Sequence, residues 1–188
     1  FCCLGISLRL MFKPDINIRM TPIDMIQGAV LTLLGVLYLG WTLSLVITLR
    51  QGPSGFEWVT LALICTFSVD TGALLIGKSL GVHKMIPSVS GGKTWEGAIG
   101  GFLFGVAATV ILVSIFQLPV GYWQALILGT IIGTLAQVGD LIESKLKRIA
   151  SVKDSSNMIP GHGGILDRLD SVVFVFFVVY AFSRWLVY

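Results

Sequence analysis

The chain has 188 residues, of which 55% are hydrophobic and only 12% are charged, so it is far more apolar than an ordinary soluble domain. Its formal net charge of +3 is too small to indicate a nucleic-acid-binding protein. Its three cysteines are odd in number, lie in apolar stretches and lack the paired spacing of metal ligands. A disulfide framework and a zinc site are therefore both disfavoured, and the composition predicts a membrane protein.

Apolar segments that are long enough to cross a hydrocarbon core of about 30 Å recur along the chain. Residues 1–12 read as the end of a truncated span, and residues 13–22 as a polar loop. The apolar run 23–49 either crosses once at a tilt or forms two short helices. The remaining spans are expected at 56–76, 94–118, 122–138 and 169–188. The sequence thus predicts an all-α, polytopic transmembrane helical bundle with polar loops.

Several small residues in the expected span 94–118 suit close packing of one helix against another. They are Gly97, Gly100, Gly101 and Gly105. We interpret them as packing residues rather than as ligand contacts.

The distribution of positive charge predicts the orientation in the membrane. Most of the 13 Lys and Arg residues lie in the stretches 13–22, 78–93 and 145–168. These stretches share one side if residues 23–49 cross once, and the positive-inside rule makes that side cytoplasmic. If residues 23–49 instead form a re-entrant pair, only the N-terminal loop changes side.

The longest polar interval, residues 139–170, contains most of the candidate site residues. Four polar side chains follow the spacing i, i+3, i+4 and i+7 and so share one helix face, namely Asp140, Glu143, Ser144 and Lys147. A proline and three glycines interrupt the helix at 160–164. Asp167 and Asp170 then share a face at the start of the last helix. Two acidic helix ends are therefore expected on either side of a glycine-rich loop.

Carboxylates at these helix ends are the oxygen ligands that Mg²⁺ prefers together with phosphate and water. The candidate metal ligands are Asp140, Asp167 and Asp170, and Glu143 is either a further ligand or the partner of Lys147. The alternative interpretation is that the aspartates cap helices or form ordinary ion pairs.

Basic and glycine residues of the same interval suit phosphate recognition. The candidate phosphate partners are Lys147, Arg148, Lys153 and Arg168. Their alternative is a set of juxtamembrane charges attracted to anionic lipid. His162 is an acid or base, a residue that orients a neighbour, or a residue that contacts a bound nucleotide. Gly163 and Gly164 allow close approach of the backbone to a ligand, whereas the alternative is a simple turn.

Two earlier pieces of the chain also carry polar groups. Asp70 lies within hydrophobic sequence, where a carboxylate indicates a functional role, although a hydrogen bond to Thr71 or to a neighbouring helix would also explain it. Ser90, Lys93 and Thr94 precede an expected helix, whose free N–H groups suit an anion.

Residues at fixed spacing through this part of the chain form recognisable motifs. They read Ser144-x-x-Lys147-Arg148, Lys153-Asp154 and Pro160-Gly161-His162-Gly163-Gly164-x-x-Asp167-Arg168-x-Asp170. Earlier pieces in the same order are Asp70-Thr71-Gly72-Ala73 with Gly77, and Lys93-Thr94-Trp95-Glu96-Gly97. From residue 58 to residue 171 the chain resembles the phosphatidate cytidylyltransferases, also called CDP-diacylglycerol synthases.

The resemblance implies an activity and a division of the chain. The expected reaction transfers CMP from CTP to phosphatidic acid and gives CDP-diacylglycerol and pyrophosphate, by metal-assisted in-line transfer with one or two Mg²⁺ ions. Residues 1–55 would be membrane helices of a protein truncated at its N-terminus, and residues 56–188 the transmembrane catalytic domain. The resemblance further implies an integral membrane homodimer, embedded among membrane lipids, whose active site faces the cytoplasm.

The resemblance also assigns roles to individual residues. The expected catalytic residues are Asp140, Lys147, Asp167, Arg168 and Asp170. The expected metal ligands are Asp140, Glu143, Asp167 and Asp170. The expected substrate-binding residues are Asp70, Ser90, Lys93, Thr94, Glu96, Ser144, Arg148, Lys153, His162, Gly163 and Gly164.

Two alternatives remain at this point. One is a CTP-dependent enzyme with another lipid acceptor, such as a polyprenol kinase or an ether-lipid cytidylyltransferase. The other is an ion-coupled transporter that uses Asp70 and Asp140 as intramembrane ion sites. A transporter leaves the polar interval with its glycine-rich loop unexplained.

Overall fold

The computed structural model describes residues 22–87, 90–149 and 166–187. Within these ranges the chain forms the α-helices α1 (Pro22–Gln51), α2 (Gly55–Leu80), α3 (Trp95–Ile115), α4 (Tyr122–Ile149) and α5 (Leu166–Phe182). A π-helical turn, Ser183–Val187, continues α5. Two short strands, β1 (Lys84–Ile86) and β2 (Ser90–Thr94), connect α2 to α3. The predicted helical bundle is confirmed, with a hairpin added to it.

Three helices of the described ranges are long and apolar enough to cross a membrane, and they cover Gly55–Leu80, Trp95–Ile115 and Tyr122–Ile142. A shorter apolar helix covers Ser171–Val187. Large apolar side chains also lie on the outer surface of the bundle, and on α3 these include Ile99, Leu103, Ile111 and Ile115. Helices that are apolar on their outer faces suit a lipid environment. The chain is therefore an integral membrane protein.

The apolar run near the N-terminus forms one continuous helix. The helix α1 extends over 30 residues from Pro22 to Gln51, and a proline is well tolerated in the first turn of a helix. The alternative of two short helices is therefore wrong. The expected loop and truncated span before it, residues 1–21, lie outside the described residues.

The core of the bundle lies between α2, α4 and α5. Its fully buried side chains include Trp58, Leu61, Leu128, Ile132, Val175 and Val179. The indole of Trp58 meets the ring of Phe182 at a centroid distance of 6.2 Å in a tilted arrangement. Aromatic contacts of this geometry add to the burial of apolar surface.

Glycines bring α3 unusually close to its neighbours. A Cβ added to Gly97 would lie 2.8 Å from the carbonyl oxygen of Ala73 and 3.0 Å from Cα of Gly77, both on α2. A Cβ on Gly101 would lie 2.7 Å from the carbonyl oxygen of Val69. Since the α2 backbone occupies this space, only glycine permits the approach. The predicted packing role of these residues is confirmed.

The hairpin between α2 and α3 was not predicted. Its strands are antiparallel, with Lys84 opposite Thr94 and Ile86 opposite Ser90. Strands of three and five residues are too short to establish an alternating apolar pattern, and two adjacent glycines weaken the pattern further. The hairpin leads directly into α3 and positions the residues just before that helix.

Candidate active site

A cavity of about 790 Å³ lies between α2, the hairpin and α4. The start of α3 and residue 171 of α5 complete its described wall. Its lining residues are Phe67, Val69, Asp70, Thr71, Ala73, Leu74, Gly77, Lys78, Met85, Gly92, Lys93, Thr94, Gly97, Ala98, Gln137, Asp140, Leu141 and Ser171. Polar and charged side chains from well-separated parts of the sequence therefore meet in one space.

Four of the predicted site residues line this cavity. They are Asp70 of α2, Lys93 and Thr94 of β2, and Asp140 of α4. Asp70 and Lys93 lie on either side of the connection between α2 and β2, and the whole of α3 separates both of them from Asp140. The tertiary structure thus joins motifs that the sequence could only place in order.

Lys93 and Asp140 form an ion pair in the cavity wall. Nζ of Lys93 lies 2.8 Å from Oδ2 of Asp140. The Lys93 side chain is 25% exposed and that of Asp140 is 41% exposed. Nζ has no aligned hydrogen-bond acceptor among the described residues, so the interaction is a charge contact rather than a directed hydrogen bond. It connects the hairpin to α4 across the cavity.

Thr94 caps the helix that follows the hairpin. Its side-chain oxygen accepts a hydrogen bond from the backbone N–H of Gly97 at 3.1 Å, as a threonine at this position commonly does. The N–H of Trp95 donates to the carbonyl oxygen of His83 at 3.0 Å. Two N–H groups at the start of α3 are thus satisfied by the protein itself. The anion contact expected at this helix start then rests on the Lys93 side chain more than on free N–H groups.

Glu96 faces His83 at the base of the hairpin. Its carboxylate lies 2.6 Å from Nδ1 of His83 and accepts hydrogen bonds from the His83 backbone N–H at 3.2 and 3.3 Å. These contacts hold the beginning of the hairpin against the first turn of α3. Glu96, Ser90 and Ser144 are not among the lining residues, and their binding of substrate stays a prediction.

The remaining predicted site residues lie wholly or partly outside the described part of the chain. The backbone of α4 includes Glu143, Lys147 and Arg148, and that of α5 includes Asp167, Arg168 and Asp170, but the side chains of these six residues lie outside the described part of the chain. Lys153, His162, Gly163 and Gly164 lie outside the described residues altogether. Ser171, the residue after Asp170 and the sixth residue of α5, lines the cavity.

Four polar lining residues were not among the predicted site residues, namely Thr71, Lys78, Gln137 and Ser171. Helical spacing could have indicated two of them, because Gln137 precedes Asp140 by three positions and Lys78 follows Asp70 by eight. Both spacings place the two residues of each pair on a similar face of their helix. Nε2 of Gln137 donates a hydrogen bond to the carbonyl oxygen of Ala98 at 2.8 Å. This bond ties α4 to α3 at the wall of the cavity.

The donor set of the cavity suits a hard divalent cation. Asp70 and Asp140 supply carboxylates to the described wall, and substrate phosphates and water commonly complete the coordination of Mg²⁺. Among the side chains that the structure describes, no three His, Cys, Asp or Glu residues form a cluster. Any further His, Cys, Asp or Glu ligand must therefore come from beyond those side chains.

The fold and the cavity define a class of protein, a polytopic helical membrane protein with a charged cavity between its helices. The chain matches the cytidylyltransferase family over residues 4–186, and it belongs to that family. The resemblance noted in its motifs is thereby confirmed.

Three relatives illustrate the similarity. The phosphatidate cytidylyltransferase of Bacillus subtilis (strain 168) is 41% identical over 143 residues, which are 76% of this chain and 53% of the relative. The phosphatidate cytidylyltransferase of Brucella suis biovar 1 (strain 1330) is 38% identical over 150 residues, 79% of this chain and 55% of the relative. Protein YnbB of Escherichia coli (strain K12) is 39% identical over 161 residues, 86% of this chain and 53% of the relative. The chain spans about half the length of these relatives.

Proposed function

We propose that the protein transfers CMP from CTP to phosphatidic acid and releases CDP-diacylglycerol and pyrophosphate. The observation that carries this proposal is the convergence of Asp70, Lys93 and Asp140 on one cavity between apolar helices. Membership in the cytidylyltransferase family and the names of the relatives support the same activity.

The reaction requires little activation of its nucleophile. A phosphate oxygen of phosphatidic acid forms a bond to the α-phosphorus of CTP, and the bond between the α-phosphorus and the bridging oxygen breaks, so pyrophosphate leaves. A phosphomonoester already carries most of its second negative charge at neutral pH. The main barrier is therefore repulsion between anions, together with the need for in-line alignment. Lys93, Lys147 and Arg168 are the proposed partners of the phosphate oxygens.

Mg²⁺ is the proposed cofactor, as one or two ions, and when bound it supplies positive charge to the reacting phosphates. Asp140, Asp167 and Asp170 are its proposed ligands, with Glu143 as a further candidate. The carboxylate of Asp140 at the cavity wall supports this assignment. The ion pair with Lys93 keeps that carboxylate directed toward the hairpin side of the cavity.

The position of the site suits an acceptor that is itself a membrane lipid. The helices beside the cavity present apolar side chains outward, so the acyl chains can remain in the bilayer while the phosphate reaches the charged wall. We further propose that the cavity faces the cytoplasm, where CTP is available. The positive charges of the stretches 78–93 and 145–168 support this orientation. The implied homodimer stays a prediction.

Labelled CTP tests the proposal directly. Purified protein is incubated with phosphatidic acid, Mg²⁺ and CTP labelled at either the α- or the γ-phosphate, and the lipids are separated by thin-layer chromatography. We expect label in the lipid only from the α-phosphate. Parallel incubations replace phosphatidic acid with a polyprenol or with an ether-lipid phosphate. Transfer of the γ-phosphate to the polyprenol would instead indicate a kinase, and preference for the ether-lipid phosphate would indicate the other acceptor class. Nucleotide-independent ion flux in proteoliposomes, without lipid labelling, would support a transporter.

A further inference from the structure

Lys78 is the charged lining residue that the motifs leave without a role. It lies in the last turn of α2 and lines the cavity together with Asp70, Leu74 and Gly77 of the same helix. Positions 70, 74, 77 and 78 recur at helical spacing, so they form one face of α2. Lys78 therefore occupies the cavity face of the helix, at the end next to the hairpin.

The charge balance of the cavity sets Lys78 apart from Lys93. The charged residues of the described lining are Asp70, Lys78, Lys93 and Asp140, and their formal charges cancel. Lys93 is neutralised by Asp140 at 2.8 Å. Lys78 forms no ion pair with any residue of the described ranges. Of the two lysines in the described lining, Lys93 is therefore paired with a carboxylate, and Lys78 is not paired with any carboxylate of the described residues.

The substrates of the proposed reaction are strongly anionic. CTP and a phosphomonoester together bring several negative charges into a cavity whose described lining has no net charge. An ammonium without a carboxylate partner gains more from meeting a phosphate oxygen than one that must first leave an ion pair. The alternative is that the Lys78 ammonium only stabilises the negative end of the α2 helix dipole. That role does not require the side chain to face the cavity.

We propose that Lys78 is a substrate-binding residue whose ammonium contacts a phosphate oxygen at the hairpin end of the cavity. The ligand chemistry is a phosphate oxyanion, supplied either by the polyphosphate of CTP or by the headgroup of phosphatidic acid. This inference rests on the proposed function, because it takes its ligands from that reaction.

The test compares Lys78→Ala and Lys78→Gln with Lys84→Ala. Lys84 is an exposed lysine on β1 that does not line the cavity, so its replacement makes the same change in net charge. The KM for CTP and the KM for phosphatidic acid are measured separately in mixed micelles. We expect both Lys78 variants to raise one of the two KM values at least about tenfold, the loss of one charge-assisted hydrogen bond. Lys84→Ala should remain within about twofold of the parent protein, and Lys78→Arg should retain most of the affinity.

The two KM values distinguish the sources of phosphate. A rise confined to CTP assigns Lys78 to the polyphosphate, and a rise confined to phosphatidic acid assigns it to the lipid headgroup. Unchanged KM values in both Lys78 variants, or an equal loss in Lys84→Ala, would overturn the inference.

A binding measurement separates this inference from the proposed function. Labelled CTP with Mg²⁺, and separately fluorescent phosphatidic acid, are titrated onto the protein in detergent micelles without the second substrate. Weaker binding of one ligand by Lys78→Gln supports the inference even if the parent protein transfers no CMP. Absence of CMP transfer would contradict only the proposed function. Equal binding of both ligands by parent and variant overturns the inference whatever the transfer assay shows.

Discussion

At the scale of single residues, the cavity is organised by opposite charges that reach it from different elements. Lys93 on β2 and Asp140 on α4 meet at 2.8 Å, and each is partly shielded from solvent. Charges in such surroundings interact more strongly than in bulk water. Substrate phosphates and a metal ion would offer the same two groups stronger partners, so the pair is suited to exchange its contacts when ligands bind.

Activity should depend on a divalent cation and on the aspartates that begin α5. We expect Asp167→Asn and Asp170→Asn each to abolish CMP transfer while the protein still inserts into the membrane, because an amide is a much weaker ligand for Mg²⁺ than a carboxylate. The measurement is lipid labelling by CTP with and without EDTA, at matched expression. Full turnover in EDTA would contradict the metal requirement.

Lys147 and Lys145 should differ in their effect on catalysis. Helix α4 includes both positions, and Lys147 shares the helical face of Asp140 and Ser144, whereas Lys145 is rotated by about 100° from Ser144. We expect Lys147→Ala to lower kcat/KM by more than about tenfold.

Lys145→Ala serves as the matched control for that variant. Its side chain is exposed, and we expect little change beyond a weaker attraction to anionic lipid of about 1 kcal/mol. Both variants are assayed at saturating Mg²⁺. Equal losses in the two variants would show that the helical face does not point at the phosphates.

At the scale of elements, the close crossing of α2 and α3 determines where the hairpin lies. Gly97 packs on the backbone of α2 near Gly77, and its own N–H donates to Thr94, the residue that ends β2. The crossing and the helix cap therefore share the same turn of α3. Anything that separates the two helices should also displace Lys93 from the cavity wall.

Enlarging Gly97 should destabilise the protein and impair the site. In Gly97→Ala the new Cβ would meet the carbonyl oxygen of Ala73 at 2.8 Å, and relief of this clash should cost about 1–3 kcal/mol. The measurement is the Tm in detergent, together with kcat/KM. Gly40→Ala is the matched control, since Gly40 is also helical but has open space around its added Cβ, and this variant should leave the Tm unchanged or raise it slightly. A Tm for Gly97→Ala equal to that of the control would exclude a tight crossing.

At the scale of the whole molecule, the two ends of α2 should lie on opposite sides of the membrane. The helix covers 26 residues from Gly55 to Leu80, a length of about 39 Å, which exceeds a hydrocarbon core of about 30 Å. The hairpin follows one end, and the short turn from α1 precedes the other. From the positive charges beside the hairpin we expect that end to lie on the cytoplasmic side.

Cysteine labelling tests this orientation. Single cysteines are introduced as Ser54→Cys and Ser79→Cys in a background in which Cys2, Cys3 and Cys65 are replaced by alanine. Both serines are exposed and lie at opposite ends of α2. We expect a membrane-impermeant thiol reagent to label Ser79→Cys only from the cytoplasmic side and Ser54→Cys only from the other. Labelling in the reverse sense would invert the predicted topology, and labelling of both from one side would show that α2 does not span.

The bundle was largely predictable from the sequence because the physical signal is local. A run of some twenty apolar residues can satisfy its backbone in a membrane only as a helix, and the expected spans near 56–76, 94–118 and 122–138 correspond to α2, α3 and α4. The packing role of Gly97 and Gly101 followed from their small size. The continuity of α1 and the presence of the hairpin did not follow, because glycines permit more than one backbone conformation and the two strands are too short to form a pattern.

For the candidate site, the sequence by itself determined which residue types and motifs exist, and through them the family. It placed Asp70 and Lys93 in two motifs and Asp140 on the polar face of a helix, but it held no information on the distances between them. Only the tertiary structure decided that these residues line one cavity, that Lys93 meets Asp140, and that Lys78 joins them while Glu96 pairs with His83. The physical reason is that helix spacing relates residues within one element, whereas contacts between elements depend on how closely the helices pack.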